Sequence, residues 1–345
     1  MTSPKTDDNS VVILGCGIIG LTTAYYLLTS STPPASVHIL DTSPTLFECA
    51  SGRSGGFIAR TELGVLSFRL HKELTEENDG GREWGYSGSL GISLSRIKEG
   101  ADSETPTSDQ LFDGQSRRFM TGEFSTAWTD GEWPSWLKRG VAKLLSTGET
   151  TAQVNSLQLC ELLLRECLPE EVIPCTSLLL AAGPWTARAY KQLFPASELR
   201  LPISNFAGWS VVFRDESPPP SEDNALCHAA FIDMDGFSPE VFSQKLPNGQ
   251  RDIFLAGVNS SQIPLPAITT DPLPRPITDN RTPIIARIDS KHYSPVASEG
   301  AGQGGLYVCA GHGPWGISLG PGSGKLCADM ILGGEVPAYL SKLGL

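Results

Sequence analysis

The stretch that most constrains this chain is Val11-Val12-Ile13-Leu14-Gly15-Cys16-Gly17-Ile18-Ile19-Gly20, followed by the apolar run Leu21 to Leu28 and then by Val37-His38-Ile39-Leu40-Asp41. Four consecutive β-branched or leucine residues read as a buried strand, the glycine-punctuated hexapeptide as a turn, and Leu21 to Leu28 as a helix returning to a second strand. Such a βαβ unit requires a parallel sheet. Gly15-Cys16-Gly17-Ile18-Ile19-Gly20 fits G-x-G-x-x-G, and Asp41 closes the next strand 21 residues beyond Gly20. Gly15 permits the tight turn, Gly17 lets backbone approach a pyrophosphate, and Gly20 lets helix pack on strand, while the helix N-terminus offers N–H groups to phosphate. Ile18 and Ile19 lie within that turn. Asp41, with Thr42 beside it, can accept from a ribose diol and disfavours a 2′-phosphate, which points to FAD or NAD over NADP.

The rest of the chain narrows the class. Its 345 residues suit about two domains, and 40% are apolar, enough for a real core. With a formal net charge of −12 and no basic run, nucleic acid and anionic membrane are excluded as partners. The eight cysteines form no C-x-x-C pair, so neither a zinc site nor a disulfide scaffold is expected; no metal is assigned, and a reducing, cytoplasmic location is the simplest reading. Val11 to Leu28 is long and uncharged enough to span a membrane, but it follows Asp7-Asp8 and carries the glycine turn, so it reads as soluble core. Ser341-Lys342-Leu343 is internal and is not expected to act as a peroxisomal address.

Glu62 to Asn78 reads as a helix with Leu63, Leu66, Leu70 and Leu74 on one face. From Arg82 to Thr147 the chain is rich in Trp, Gly and Ser, including Trp84, Trp128, Trp133 and Trp136, and suits short strands and turns. Asn155 to Cys167 reads as a helix, and Leu178 to Ala182 as a second buried strand ending in Gly183-Pro184-Trp185. Val211 to Phe213, Ala229 to Ile232 and Ile253 to Ala256 read as strands of an antiparallel lobe, and Ser217 to Asn224 as a solvated loop. The five prolines from Pro264 to Pro276 bar helix and central strand. Gly305 to Ala310 is expected as a strand, Gly311 to Gly316 as a turn and Ile317 to Leu332 as a helix, with no internal repeat.

Cys49-Ala50-Ser51-Gly52-Arg53-Ser54-Gly55-Gly56-Phe57, Ala181-Ala182-Gly183-Pro184-Trp185-Thr186 and the run Ala310-Gly311-His312-Gly313-Pro314-Trp315-Gly316-Ile317 through Pro321 and Gly324 complete the pattern. Together with the first turn, these four motifs in order resemble the D-amino-acid-oxidase-like family of FAD oxidoreductases, which includes glycine oxidase and sarcosine oxidase. The loop Glu48 to Arg60, the helix after it and Trp84-Gly85-Tyr86 resemble a fungal and yeast branch of that family.

The resemblance implies an α/β fold: a Rossmann-type FAD domain interleaved with a mainly antiparallel β substrate lobe. The FAD domain is expected at 1–80, 151–205 and 276–345, and the lobe at 81–150 and 206–275. It implies noncovalent FAD held by Gly15, Gly17, Ile18, Ile19, Gly20, Asp41, Thr42, Ser51, Gly52, Arg53, Ser54, Gly55, Gly56, Ala182, Gly183, Trp185, Gly311, Gly313, Trp315, Gly316 and Ile317. No Cys lies in Asp271 to Arg281, near where some members tether flavin. The implied reaction is hydride removal from the carbon beside the nitrogen of an amine or amino acid, with O2 reoxidising the flavin.

Arg53, His312 and Trp315 are the catalytic candidates. His312 either polarises substrate or flavin or is a turn histidine bonded to backbone; Arg53 either neutralises charge or satisfies loop carbonyls. Trp185 reads as packing, Lys325 as a solvated helix residue, and Arg275 and Arg281 join Arg53 as candidates to hold a carboxylate. Thirteen of the 36 glycines, those named above with Gly320, Gly322 and Gly324, fall in four turns read as approaching one cofactor.

Two stretches depart from the family. Leu168 to Ser177, with Pro169 and Pro174, is too short for the strand and hairpin expected there, and Pro264 to Pro276 replaces a helix and a strand. The chain is either a naturally abbreviated member or the product of a gene model lacking coding segments. A lost sheet strand leaves backbone groups needing other partners. The alternative function is therefore a catalytically impaired or flavin-free relative with an interaction or regulatory role; an NAD dehydrogenase has only the glycine turn in its favour.

Overall fold

The structure is a computed structural model describing residues 9–43, 46–47, 49–60, 64–95, 141–165, 175–215, 226–233, 238–246, 248, 250–260, 262–266, 275–278, 283–293, 304–334 and 343. In chain order the strands are β1 (Ser10–Leu14), β2 (Ser36–Leu40), β3 (Phe57–Ala59), β4 (Ser87–Ser95), β5 (Val141–Ser146), β6 (Thr151–Gln153), β7 (Ser177–Leu180), β8 (Asn205–Asp215), β9 (Cys227–Asp233), β10 (Glu240–Lys245), β11 (Arg251–Ser260), β12 (Arg275–Thr278), β13 (Ile284–Ile288) and β14 (Gly305–Ala310). The helices are α1 (Ile18–Leu28), α2 (Ala50–Arg53), α3 (Val65–Glu77), α4 (Gly80–Glu83), α5 (Ser156–Arg165), α6 (Thr186–Leu193) and α7 (Gly316–Ile331). They form two compact units: 1–54, 157–207 and 261–345 make the first, 55–156 and 208–260 the second.

The first unit is built on a five-stranded sheet of order β13-β14-β7-β1-β2. β1 pairs in parallel with β2 and β7, β14 pairs in parallel with β7, and β13 closes the edge antiparallel to β14. The continuous apolar composition of β1 and β14 is what a strand covered on both faces requires. Val11, Ile13, Leu179, Leu180 and Val308 are fully buried, and Tyr190, Leu201, Ile284, Ile288 and Leu306 extend the core. Among the described residues the sheet ends at β2, all of whose residues are partly or fully exposed.

In the second unit the strands run in the order β8-β11-β10-β9-β4-β6-β3, with β5 also on β4. β10 pairs antiparallel with β9 and β11, whereas β4 and β9 are parallel. Phe57, Phe231, Phe242 and Phe254 are buried against one another, Phe57 and Phe242 stacked with centroids 5.6 Å apart. Trp84 is buried here at 1% exposure.

The unit boundaries differ from the sequence expectation. Residues 55–80 fall in the second unit, because β3 pairs with β6 there. Residues 261–275 fall in the first. The Glu62–Asn78 helix is observed as α3, burying Phe68, Leu70, His71 and Leu74; Leu63 lies outside the described residues. The proline-rich stretch ends in β12, an edge strand, where the missing N–H of Pro276 is tolerated. Trp128, Trp133, Trp136, the loop Ser217 to Asn224 and most of Leu168 to Ser177 lie outside the described residues. No helix among the described residues is long and apolar enough to cross a membrane.

Candidate functional site

Every motif in the first unit sits where a parallel strand gives way to a helix. β1 passes through Gly15–Gly17 into α1. Gly15 has φ +115°, and a Cβ there would stand 2.5 Å from the carbonyl oxygen of Ala181, so only glycine lets the turn lie against the end of β7. Gly20 meets the Gly15 carbonyl at 2.0 Å in the same test, which is the helix-on-strand packing expected of the third glycine.

Two side chains brace this turn. Asp41 accepts the Cys16 N–H through Oδ2 at 2.7 Å and the Ser43 N–H through Oδ1 at 2.8 Å. Its carboxylate is thus oriented by backbone while exposed to solvent, with lone pairs remaining on both oxygens. Ser51 Oγ accepts the N–H of Ile18, the first residue of α1, at 3.0 Å. A hydroxyl that accepts one bond still has a proton to donate, so Ser51 can serve an anion and the helix together.

β7 and β14, neighbours in the sheet, end in the same device. Gly183-Pro184-Trp185 and Gly313-Pro314-Trp315 are both single 3-10 turns opening a helix, α6 and α7, and Gly183 and Gly313 have φ +53° and +54°. The tripeptide repeat escapes a sequence reading tuned to longer periods. Trp185 Nε1 donates to the Pro266 carbonyl at 3.1 Å, and Arg188 Nη1 donates to the same oxygen at 2.8 Å, clamping the proline-rich segment.

His312 is buried at 5% exposure, and its Nε2 stands 2.9 Å from Ser323 Oγ on α7. Burial pushes its pKa down to about 3, so the ring is neutral at ordinary pH. Neither sequence reading, a ring that polarises substrate or flavin or one bonded to turn backbone, names the partner observed at Nε2. The imidazole has a side-chain partner that spacing alone does not reveal. Trp315 is buried, and its N–H donates to the His312 carbonyl at 3.0 Å. Arg53, at the end of α2, is exposed. Arg275 lies on β12, and Arg281 is outside the described residues.

The glycines divide by what surrounds them. Gly52 faces the Phe47 carbonyl, while Gly55 and Gly56 belong to the second unit and face Phe242 and the Val154 carbonyl; protein atoms already fill these positions. Gly320, Gly322 and Gly324 are not turn residues at all but lie inside α7, where Gly320 abuts Ile18 and Gly324 abuts Thr22. The reading of thirteen turn glycines is corrected at these three, which belong to a helix. Thr22 Oγ1 reaches the Gly320 carbonyl at 2.9 Å, a contact between α1 and α7 that the sequence did not announce. Lys325, half-buried, pairs with Asp329.

A few groups remain that the fold does not explain. A Cβ on Gly316 meets nothing within 4 Å, and one on Gly17 meets only the Ser51 side chain; the surroundings of Gly183 are open too, although its φ of +53° itself calls for glycine. Gly316 has a helical φ of −51°, so neither backbone conformation nor packing demands glycine there. Thr186, first residue of α6, is buried, and its hydroxyl has no hydrogen-bond partner among the described residues. Open glycine surfaces at helix N-termini, with an oriented carboxylate at the end of β2, fit an extended dinucleotide. Among the described residues no cluster of His, Cys, Asp or Glu could hold a metal.

Comparison with known proteins agrees. Residues 10–173 match the family FAD dependent oxidoreductase (DAO). "Putative oxidoreductase C1F5.03c" of Schizosaccharomyces pombe is 25% identical over 96% of each chain. That alignment runs over 409 positions, more than this chain has residues, so the relative carries segments with no counterpart here. "Putative oxidoreductase TDA3" of Saccharomyces cerevisiae is 41% identical over 24% of this chain and 17% of its own. Glycine oxidase from Geobacillus kaustophilus has the same fold, with TM-score 0.65 at 19% identity over 98% of both chains. Iminodiacetate oxidase from Chelativorans sp. BNC1 gives TM-score 0.62 at 19% identity over 97% and 98%.

Proposed function

From the match of residues 10–173 to the DAO family of FAD dependent oxidoreductases, we propose that the protein oxidises a C–N bond of an amine or amino acid with noncovalently held FAD. The observation that carries the reading is Gly316: a helical glycine at the N-terminus of α7 that the fold leaves facing open space. When bound, FAD supplies the electron acceptor: hydride leaves the carbon beside the amine, the resulting imine hydrolyses, and O2 takes the electrons on.

The chain's own residues bind and orient. Gly17 and the N-terminus of α1 receive the diphosphate, with Ser51 donating its free proton to a phosphate oxygen. Asp41, fixed by Cys16 and Ser43, accepts from ribose hydroxyls. Ala182 and Gly183 face the cofactor from the end of β7. The N-terminus of α7, entered through Gly311, Gly313 and Trp315 and continued by Gly316 and Ile317, favours negative charge by about 0.3–2 kcal/mol. Because His312 is neutral, that field comes from the helix and not from an imidazolium. The names of two proteins of the same fold, glycine oxidase and iminodiacetate oxidase, support an amine or amino acid as the substrate class.

The experiment is reconstitution with FAD followed by anaerobic addition of amines and amino acids. Bound flavin that bleaches supports the reading; protein that retains no flavin contradicts it. Release of all colour on acid denaturation is expected for noncovalent flavin.

A further inference from the structure

Ser323 lies in the interior of α7, as its eighth residue, and its hydroxyl meets Nε2 of His312 on the turn that precedes the helix. The turn needs such an anchor. Gly311 and Gly313, on either side of His312, have φ +85° and +54°, conformations that leave the backbone few steric restraints of its own. The 3-10 bond from Trp315 N–H to the His312 carbonyl closes the turn, but closes it upon the same residue.

We propose that Ser323 is a positioning residue: by holding His312 from within α7, it fixes the turn 311–315 against the helix whose N-terminus faces the flavin. The inference rests on the FAD reading above. Both partners are buried, at 5% and 4% exposure, so the bond is shielded from competing water. A neutral imidazole carries one donor and one acceptor nitrogen, and a serine hydroxyl satisfies either at Nε2, so the pair holds in both tautomers. Ser323 acts only through His312.

Wild type, Ser323→Ala and Ser323→Thr test this by two readouts: amide hydrogen exchange across 313–317 in flavin-free protein, and the dissociation constant for FAD. Ser323→Ala is expected to speed exchange in the turn and weaken FAD about tenfold, the size of one lost buried hydrogen bond, with both restored by Ser323→Thr. Unchanged exchange, or faster exchange with unchanged FAD affinity, overturns the positioning role. If wild type itself takes up no FAD, the cofactor reading has failed, and the role of Ser323 toward flavin falls with it; the wild-type control separates the two failures.

Discussion

A Cβ built on Gly320 stands 2.7 Å from Cγ1 of Ile18, so α7 lies on α1 at a separation that an added methyl disturbs. Four residues on, the same test at Gly324 meets the backbone carbonyl carbon of Thr22 at 2.6 Å. The two helices that bear the candidate cofactor turns are locked along their lengths by missing side chains and by the bond from Thr22 to the Gly320 carbonyl.

Substitution there costs stability in a graded way. At Gly320 the obstacle is a side chain, which can shift; at Gly324 it is backbone, which cannot without moving a helix. Gly324→Ala is expected to destabilise by about 1–3 kcal/mol despite a helix-propensity gain of about 1 kcal/mol, and Gly320→Ala by less. Urea unfolding of the two variants should preserve that order.

Gly316→Ala separates fold from site. With a helical φ and nothing within 4 Å, alanine there leaves stability unchanged or raises it by up to about 1 kcal/mol. FAD affinity should fall all the same, because the methyl enters space read as the ligand's. Titration with FAD beside a urea curve checks both halves. A variant that binds FAD as wild type does removes Gly316 from the site.

Gly17→Asp is a second separation. The new Cβ meets only the Ser51 side chain, and a carboxylate at the N-terminus of α1 is electrostatically welcome in the absence of ligand. The variant should fold, shown by circular dichroism, yet retain no flavin, since its charge opposes the diphosphate.

His312 writes a pH dependence into stability. In the unfolded chain its imidazole titrates near the usual 6.5, and in the fold at about 3. Between these values the unfolded state takes up a proton that the native state refuses, so this contribution is present above about pH 6.5 and lost as pH falls toward 3. At about 1.4 kcal/mol per pKa unit the loss amounts to a few kcal/mol. Comparing urea unfolding of wild type and His312→Asn from pH 7 to pH 4 isolates it: the wild type should lose more stability over the interval.

How far the sequence reached depended on the range of the interactions involved. β1, α1, β2, β14 and α7 were legible because local apolar runs and glycine punctuation specify them residue by residue. The turn Gly15–Gly20 was legible for the same reason, whereas the bond from the Cys16 N–H to Asp41 was not. The 1–80 boundary was not, because β3 pairs with β6, nearly a hundred residues away. Gly320 and Gly324 were misread as turn glycines because a glycine that serves a helix contact has the same letter as one that serves a ligand; only the neighbour, Ile18 or Thr22, tells them apart. Ser323 gave no signal, since its partner is fixed by tertiary packing.

The most direct measurement of the whole account is FAD uptake by the purified wild-type chain, followed by anaerobic titration with amines and amino acids while the visible flavin absorption is recorded. The account predicts stoichiometric, acid-releasable FAD whose colour bleaches with at least one such compound and returns on admission of O2. Failure to retain FAD after reconstitution contradicts it.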